Sequence, residues 1–578
     1  MKLIEALELM KRPAADAPKL EVFLACGFTP LHVQTFLAAH LIAAVPGKRP
    51  HIKTGLFGDL AGNLERLDPS GIEALAVLIE WGDIDARLSV RSLGGWRPAQ
   101  MAAILESADQ TVIRLRTAIE GLSSRVPTVV SLPTLPLPPL FSARRSELNP
   151  IEAHLHRTMA TLGESLSQQP GLRIVNAQLL NEISPPSARY DVKSDVASGF
   201  PYTLCYASAV AEAMAGLMHP PSPKKGLITD LDDTLWSGIL GEDGAHGISW
   251  HLDQHSHMHG MYQQMLGALA GAGVLLAVAS KNDSAAVDRA FEREDLLLSK
   301  DDIFPVEAHW SPKSESVERI LKTWNVGADS VVFIDDSPME GAEVKAAFPQ
   351  MECIVFPKGD DAAIWALVKR LRDLFGKSRL TEEDTLRLGS IRAGGAVRDL
   401  EQFTPGSADD FLKAAEAHVI FDMNPAKDDP RAFELVNKTN QFNLNGRRYS
   451  EAEWRNLLND PESFLLTVAY KDKYGFLGKI AVIAGKTQRR KVHVQAWVMS
   501  CRAFSRRIEH QSVQYLFDSF AADEIIFDYQ ATPRNGPLQE FLGEFLAGPP
   551  ASGASLLKDQ FLAKVPELFH QVEGAVNV

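Results

Sequence analysis

Short apolar runs alternate with segments of helical period through residues 1–220. The runs EVFLACG, HIKTGLF, ALAVLIEWGD and TVVSLP predict four strands, and helices are predicted between them and over residues 97–122 and 149–168. Strands separated by helices favour a parallel, doubly wound sheet. The proline-rich run SLPTLPLPPL predicts an exit loop. Residues 1–220 are therefore expected to form one α/β domain.

A different pattern begins at residue 225, where KGLITDLDDTLWSGILGEDG passes from apolar residues directly into carboxylates. Residues 226–229 predict a buried strand, and polar residues just beyond such a strand stand where α/β folds place ligands. Asp230 and Asp232 leave the strand at alternate positions, so both are expected at one site. Asp230 can attack phosphorus, and Asp232 can give and take protons. Two carboxylates this close repel, so a hard cation such as Mg²⁺ is expected.

Three further patterns follow that a phosphoryl-transfer site needs. The run VLLAVAS ends in Ser280, which can hold a phosphoryl oxygen, and Lys313 in WSPKSE can neutralise phosphate. The run VVFIDDSPME places Asp335, Asp336 and Glu340 where they can serve the metal. Lone aspartates commonly only make turns or cap helices. The joint occurrence of all these elements favours the functional interpretation.

This set resembles the motifs of the haloacid dehalogenase superfamily of aspartyl-phosphate hydrolases. The resemblance implies a Rossmann-like phosphatase domain over residues 221–376, with Mg²⁺ as the cofactor. It implies that Asp230 is the nucleophile and a metal ligand, and that Asp232 is the acid/base and a metal ligand. Ser280 and Lys313 match the phosphate clamps, Asp336 the metal-binding acid, and Asp335 or Glu340 a partner of the metal's water shell. Because the second acid of VVFIDD lies past the strand end, Asp336 is expected to matter more to the metal than Asp335.

The motif sequences are similar to those of the FkbH-type branch, subfamily IIIC; they read LDDTLWSGILGEDG, SKND, WSPKSES and FIDDSPME. Members of that branch are associated with making glyceryl carrier-protein thioesters from 1,3-bisphosphoglycerate. The resemblance implies a small phosphorylated three-carbon substrate and an acyl carrier protein, whose phosphopantetheine thiol receives the glyceryl unit in polyketide or related secondary metabolism. Too few residues lie between Asp243 and Ser280 for a large cap. A minimal lid is expected, from residues 236–250 or a neighbouring domain.

Residues 1–220 resemble the SGNH-like domain that precedes the phosphatase in related proteins. Gly27, Phe28 and Thr29 occupy the first strand-to-helix turn, where a hydrolytic relative presents Gly-Asp-Ser. Gly82 and Asp83 follow a later strand, but the stretch YDVKSDVASGFPYTLCYASAV contains no histidine. A binding or scaffolding domain is expected rather than a serine hydrolase.

Residues 377–578 are predicted to hold a polar connector and an α+β domain. LLTVAYKD, GKIAVIAG, KVHVQAWVMS and EIIFDYQ predict strands in meander order, and the domain resembles the GNAT acyltransferase fold. In the turn CRAFSRRIEHQSV, Ser505 and Arg507 stand where that fold has two glycines, which let the backbone cradle the CoA pyrophosphate. Arg502, Arg506 and Arg507 are the candidate cofactor-binding residues, and phosphopantetheine or carrier contact is favoured over CoA.

Seven cations concentrate in this third domain, and carrier proteins are generally acidic. The cluster is therefore a candidate docking face, although charge runs are usually solvated surface. Its members are Lys486, Arg489, Arg490, Lys491, Arg502, Arg506 and Arg507.

An acyl transfer through a covalent thioester would need a thiol. FkbH-type proteins often carry a cysteine before the Ser-Lys-Asn of the second motif, where this chain has Ala279. Cys26, Cys205 and Cys353 are expected to be structural. Either Cys501 carries the acyl group, or the group passes directly to the carrier's thiol.

Composition excludes several classes of protein. A formal net charge of −14 and a pI near 5.6 argue against nucleic acid or an anionic membrane as the main partner. Four widely spaced cysteines indicate neither zinc nor a disulfide framework, and favour a reducing cytoplasm. The N-terminus predicts an amphipathic helix rather than a signal peptide, and no apolar run is long enough for a membrane span.

Three functions remain open. The first is an FkbH-like phosphatase and glyceryl transferase, and the second is a phosphatase for another small phosphorylated metabolite or sugar, with flanking binding domains. The third is a non-catalytic assembly protein, against which the complete catalytic set argues.

Overall fold

The computed structural model describes residues 1–377, apart from 15, 94, 141–143, 145 and 148. Further along the chain it describes residues 391, 412–413, 415–425, 429–439, 441–473, 475–500, 503–504, 506–532, 535–546 and 553–574. The chain splits into two compact units: unit 1 is Met1–Pro221 with Tyr449–Asn456, and unit 2 is Ser222–Arg448 with Leu457–Val578. The domain boundaries at residues 220 and 376 stay predictions. Among the described helices, none is both long and apolar enough to cross a membrane.

Unit 1 is built on a sheet of five strands flanked by helices. The strands are β1 (Lys19–Ala25), β2 (Arg49–Thr54), β3 (Ala74–Leu78), β4 (Thr128–Ser131) and β5 (Leu172–Ile174), and the helices are α1 (Leu3–Leu9), α2 (Leu31–Ala44), α3 (Leu60–Glu65), α4 (Trp81–Ile84), α5 (Met101–Ser123), α6 (Pro150–Ser167), α7 (Ala177–Ile183), α8 (Val192–Ser198) and α9 (Leu204–Met218). The strands are parallel, in the order β2-β1-β3-β4-β5. The predicted parallel α/β sheet is confirmed, with a short fifth strand that the pattern did not indicate.

Both faces of this sheet are covered, which explains the continuous apolar runs. In β3, Ala74, Ala76 and Leu78 pack into a core with α2 and α9, whereas Leu75 and Val77 pack into a second core with α5 and α6. Side chains of a strand alternate between faces, so a strand buried on both faces has no polar position to spare.

The first sheet of unit 2 has the same construction. Its strands are β6 (Gly226–Thr229), β7 (Leu275–Ser280), β8 (Ile303–Ala308), β9 (Val331–Asp335) and β10 (Glu352–Val355), with helices α10 (Leu240–Gly247), α11 (His257–Gly271), α12 (Ser284–Phe291), α13 (Lys313–Trp324), α14 (Pro338–Ala347) and α15 (Asp361–Phe375). All five strands are parallel, in the order β10-β9-β6-β7-β8. A Cβ at Gly226 would lie 2.5 Å from the Trp324 ring, so only glycine lets α13 pack this closely. Because β6 is the middle strand of this sheet, the residues that follow it lie at the middle of the sheet's carboxyl edge.

The second sheet of unit 2 is mixed. Its strands are β11 (His418–Met423), β12 (Phe442–Asn443), β13 (Ser463–Asp472), β14 (Gly475–Gln488), β15 (Lys491–Met499), β16 (Glu524–Phe527), β17 (Ala554–Leu557) and β18 (Gln571–Glu573), and the helices of this part of the chain are α16 (Pro430–Lys438), α17 (Glu451–Asn459), α18 (Ile508–Ser519), α19 (Gly536–Phe545) and α20 (Lys558–Leu562). The four predicted strands are present as β13 to β16. The meander holds for β13, β14 and β15, but β16 pairs parallel with β15, because α18 returns the chain before the next strand begins.

Buried asparagines hold the irregular part of this sheet together. Asn443 Oδ1 accepts hydrogen bonds from the amides of Asn445 and Gly446, at 3.3 and 2.8 Å. The buried Asn535 donates to the carbonyls of Asn443 and Gln530, at 3.0 and 2.9 Å. These side chains satisfy backbone groups that lack a ladder partner, which gives the asparagine-rich stretch a structural role.

Candidate active site

The residues predicted for catalysis meet at one edge of the first sheet of unit 2. Asp230 follows β6 directly, Ser280 ends β7 and Asp335 ends β9. Because these strands are parallel, their carboxyl ends lie at the same edge. Lys313, the first residue of α13, reaches this edge with its Nζ 2.9 Å from Asp230 Oδ1.

Lys313 is a buried cation held by three carboxylates. Its Nζ lies 2.6 Å from Asp335 Oδ2 and 2.5 Å from Glu340 Oε2, besides its ion pair with Asp230. Burial disfavours the charged ammonium, but Asp230 and Asp335 outweigh it and raise the pKa of Lys313. Burial raises the pKa of Asp230, against the opposing attraction of Lys313. Three carboxylates thus share one buried ammonium.

Asp230, Asp335 and Asp336 form a group that can hold a metal ion. Each offers a carboxylate oxygen, and the three oxygens lie within 4.8 Å of one another. The buried Asp230 Oδ1 lacks a hydrogen bond of ordinary geometry from the described residues, although the Lys313 ammonium lies 2.9 Å away. A hard divalent cation would satisfy this atom and offset the repulsion, so the donor set fits Mg²⁺.

This group differs in part from the predicted metal ligands. It includes Asp335, although Asp335 or Glu340 was expected to serve the metal's water shell. The arrangement gives no reason to rank Asp336 above Asp335 as a metal ligand. The carboxylate of Asp232 is not in the group. The assignment of Asp232 as a metal ligand stays a prediction.

Asp232 is held by three donors from two parts of the chain. Its Oδ1 accepts hydrogen bonds from Trp236 Nε1 at 3.0 Å and from the amide of Leu240 at 3.1 Å. Its Oδ2 accepts one from Asn282 Nδ2 at 3.0 Å, and the same Nδ2 lies 3.1 Å from Ser280 Oγ. Sequence reasoning missed Asn282, although its place two residues after a strand-ending serine was a signal. Asn282 links the predicted acid/base to the predicted phosphate clamp.

One face of α11 fixes the backbone around the two aspartates. His259 Nδ1 lies 2.9 Å from the carbonyl of Thr234, and Gln263 Nε2 donates to the carbonyl of Leu235 at 2.9 Å. His259 and Gln263 are four residues apart and therefore share a face of the helix. Buried side chains thus satisfy loop carbonyls that have no strand partner.

The segment between β6 and α11 is short, as expected, and its role as a lid stays a prediction. Ser237 and Ser249 pair as an isolated antiparallel bridge, which closes the loop that carries α10. Gly238 has φ +105°, a left-handed conformation that suits glycine. Residues 236–250, all described, therefore form a compact loop rather than a cap domain.

Two further lysines pair with acids of the site, and neither was assigned a role from the sequence, although Lys281 belongs to the SKND motif. Lys281 Nζ lies 2.9 Å from Glu340 Oε1. Lys358 Nζ lies 2.6 Å from Asp336 Oδ2 and 3.1 Å from Asp233 Oδ2. Each lysine follows the carboxyl end of a strand, which was the available signal.

The corresponding edge of the sheet in unit 1 is filled by its own polar groups. A Cβ at Gly27 would lie 1.7 Å from Asp83 Oδ1, so glycine is required there. Asp83 Oδ2 accepts a hydrogen bond from the amide of Glu80 at 2.8 Å, and Thr29 Oγ1 donates to the carbonyl of Ser198 at 2.7 Å. Burial raises the pKa of Asp83 to about 7. The non-hydrolytic role of this domain stays a prediction.

Two of the three arginines predicted to bind a cofactor in the third domain have partners within the chain, and the cofactor-binding role stays a prediction. Arg506 is only 7% exposed, and its guanidinium pairs with Asp472 at 3.7 Å. Arg507 Nη1 donates to the carbonyl of Glu567 at 2.8 Å. Arg506 is thus a paired interior cation rather than one offered to phosphate. Arg502, Ser505 and Cys501 lie outside the described residues.

The predicted docking face is also largely neutralised. Three of its cations pair with acids of the same domain: Lys486 with Asp460, Arg490 with Asp523, and Lys491 with Glu524. Paired surface charges add little net attraction for a distant partner. Among the described residues, these three side chains do not form an unopposed positive patch.

Of three comparisons with known proteins, one, with solved structures, bears on the fold of this chain. No protein-family model matches the sequence, and no curated protein matches it. A solved structure does: the N-terminal part of the protein BF1531 from Bacteroides fragilis, which contains a phosphatase domain and was crystallised with Mg. It is 19% identical with a TM-score of 0.50, and the match covers 66% of this chain and 100% of that chain. At this identity the likeness establishes a shared fold.

Two other solved structures are far less similar. One is a GCN5-related glucosamine N-acetyltransferase region in a fungal multi-domain GH3 beta-N-acetylglucosaminidase, 12% identical over 92% of this chain and 63% of that chain. The other is the calicheamicin glycosyltransferase CalG4, 12% identical over 67% of this chain and 100% of that chain. Both have a TM-score of 0.13 and carry no structural conclusion.

Proposed function

We propose that this chain is a Mg²⁺-dependent phosphatase that works through an aspartyl-phosphate on Asp230. The observation that carries the proposal is the buried cluster in which Lys313 contacts Asp230, Asp335 and Glu340. The fold shared with a structure that contains a phosphatase domain supports it. Burying several carboxylates around a single lysine costs free energy, and such groups are typically found at functional sites.

The metal-binding residues in this proposal are Asp230, Asp335 and Asp336. A bound Mg²⁺ would supply positive charge that stabilises the phosphoryl oxygens. The Mg present in the Bacteroides fragilis structure supports the choice of ion.

The side chains divide the reaction between them. Asp230 attacks phosphorus and forms the aspartyl-phosphate, while Asp232 gives its proton to the departing oxygen. Asp232 then takes a proton from the water that cleaves the aspartyl-phosphate. Ser280 and Lys313 hold phosphoryl oxygens, and Asn282 keeps Asp232 beside Ser280.

The finer proposal is that the substrate is a glyceryl unit derived from 1,3-bisphosphoglycerate, which passes to an acyl carrier protein in polyketide or related metabolism. The similarity of the phosphatase motifs to those of the FkbH-type branch supports this proposal. The alternative is a phosphatase for another small phosphorylated metabolite or sugar. Ala279, which is buried within β7, has no thiol at the position where FkbH-type proteins often carry a cysteine. We therefore propose that the acyl group passes directly to the carrier's thiol, or through Cys501.

The nucleophile is tested by Asp230→Asn. The amide is nearly isosteric but not nucleophilic, so Mg²⁺-dependent phosphate release should fall by several powers of ten while the fold persists. The measurement is phosphate release from phosphate monoesters, with Asp288→Asn, an exposed surface residue, as the matched control. Undiminished release by a clean Asp230→Asn preparation would refute the assignment.

The acyl-transfer step needs a separate test. The protein is incubated with 1,3-bisphosphoglycerate and a carrier protein, and both are followed by intact mass spectrometry. A glyceryl adduct on the carrier supports transfer, whereas phosphate release without an adduct favours the alternative. A glyceryl or phosphoglyceryl adduct on any residue of this chain other than Cys501 contradicts the assignment of that thiol, whereas a phosphoryl adduct on Asp230 is the aspartyl-phosphate itself.

A further inference from the structure

Lys358 lies beside the candidate metal group and outside the catalytic cluster. It follows β10 in the loop before α15, and its Nζ contacts Asp336 Oδ2 at 2.6 Å and Asp233 Oδ2 at 3.1 Å. The loop is itself fixed, because the amide of Phe356 donates to the carbonyl of Asp335 at 2.8 Å and the Phe356 ring is buried. The ammonium is thus held in a defined place.

The two carboxylates leave part of this ammonium facing solvent. An ammonium has three N–H donors, and Asp336 and Asp233 accept two of them. The side chain of Lys358 is 52% exposed, compared with 3% for Lys313. Lys313 is enclosed with Asp230, whereas about half of the Lys358 side chain is open to solvent.

We propose that Lys358 recognises a second anionic group of the substrate, a carboxylate or phosphate separate from the phosphoryl group that is transferred. The inference rests on the proposed phosphatase function and narrows its substrate class. In that function Lys313 and Ser280 hold the transferred group, which leaves Lys358 for another oxyanion. Unlike the buried Arg506, Lys358 is 52% exposed and has a third N–H donor that neither carboxylate accepts, so it can donate to an oxyanion with little further loss of side-chain freedom.

The test measures binding, so that it does not depend on turnover. Two ligands of three carbons are compared by calorimetry on the Mg²⁺-loaded full chain: 3-phosphonopropionate, which adds a carboxylate, and propylphosphonate, which lacks it. The variants are Lys358→Met and Lys358→Arg, with Lys322→Met, a lysine that pairs with Glu318 on the outer face of α13, as the matched control.

The expected result is a preference of about tenfold for 3-phosphonopropionate in the original chain and in Lys322→Met, as for a charge-assisted hydrogen bond. The preference should vanish in Lys358→Met and persist in part in Lys358→Arg. No preference in the original chain, or an unchanged one in Lys358→Met, overturns the proposal. An equal loss of affinity for both ligands, with weaker Mg²⁺ binding, also overturns it and makes Lys358 a positioning residue for Asp336. Absence of phosphate release in the separate turnover assay bears only on the phosphatase function.

Discussion

At the scale of single residues, the site depends on how each carboxylate is partnered. Asp230 and Asp335 share one buried lysine, and Asp232 is oriented by Trp236, Leu240 and Asn282. Asp230 and Asp232, two positions apart in the chain, therefore have different partners. A carboxylate that shares a lysine can serve as nucleophile and ligand, while one fixed by neutral donors can exchange protons.

Asn282→Ala removes the donor that joins Asp232 to Ser280. We expect kcat for phosphate release to fall about tenfold with little change in KM, because a small misplacement of a proton-transfer group slows the reaction without weakening ground-state binding. Steady-state kinetics on the variant measure both constants, and the exposed Gln254→Ala serves as control. A rise in KM at constant kcat would show that Asn282 contacts the substrate instead.

At the scale of elements, α11 supports the catalytic loop through buried polar side chains. Its contact with the Thr234 carbonyl uses His259, which is 7% exposed. Burial lowers the pKa of His259, against the opposing effect of that hydrogen bond and of nearby acids. The imidazole is therefore neutral in the folded protein at neutral pH.

The stability of unit 2 should accordingly depend on pH through His259. Below a pH of about 6.5 the unfolded chain protonates this histidine while the folded chain does not, so the free energy of unfolding falls as pH falls, by up to about 1.4 kcal/mol per pH unit. Urea unfolding between pH 7 and pH 5 measures the slope. In His259→Asn, whose amide can donate as Nδ1 does, this contribution should disappear, and an identical slope would contradict the assignment.

At the scale of the whole molecule, the chain forms two compact units, and the candidate metal group lies in unit 2. A ligand that binds only the folded state stabilises the part that holds it. The two units should therefore respond differently to Mg²⁺.

Calorimetric unfolding should show a transition that Mg²⁺ raises and another that it leaves in place. The stabilisation of unit 2 is expected to be about 2.7 kcal/mol at 100 times the dissociation constant. Excess EDTA should remove it, and Asp336→Ala should abolish it. Equal shifts of all transitions, or a full shift in Asp336→Ala, would place the metal elsewhere.

The sequence by itself determined most of the strands and which side chains meet at the edge of the first sheet of unit 2. Apolar runs that end in polar residues mark strands buried on both faces, and this local pattern correctly placed Asp230, Ser280 and Asp335 at strand ends. In parallel strands those ends share one edge, so proximity followed without coordinates. The direction of β16 was predicted wrongly, because a strand pattern carries no information on pairing partners.

Only the tertiary structure decided which charges meet. Lys358 reaches Asp336 across 22 residues, and Asn282 reaches Asp232 across 50. The basic run around Arg506 looked like a docking face, yet folding buries Arg506 against Asp472 and pairs Lys491 with Glu524. The physical reason is that periodicity records which residues avoid water, whereas a charged side chain takes its partner from whatever the folded chain brings within a few ångströms.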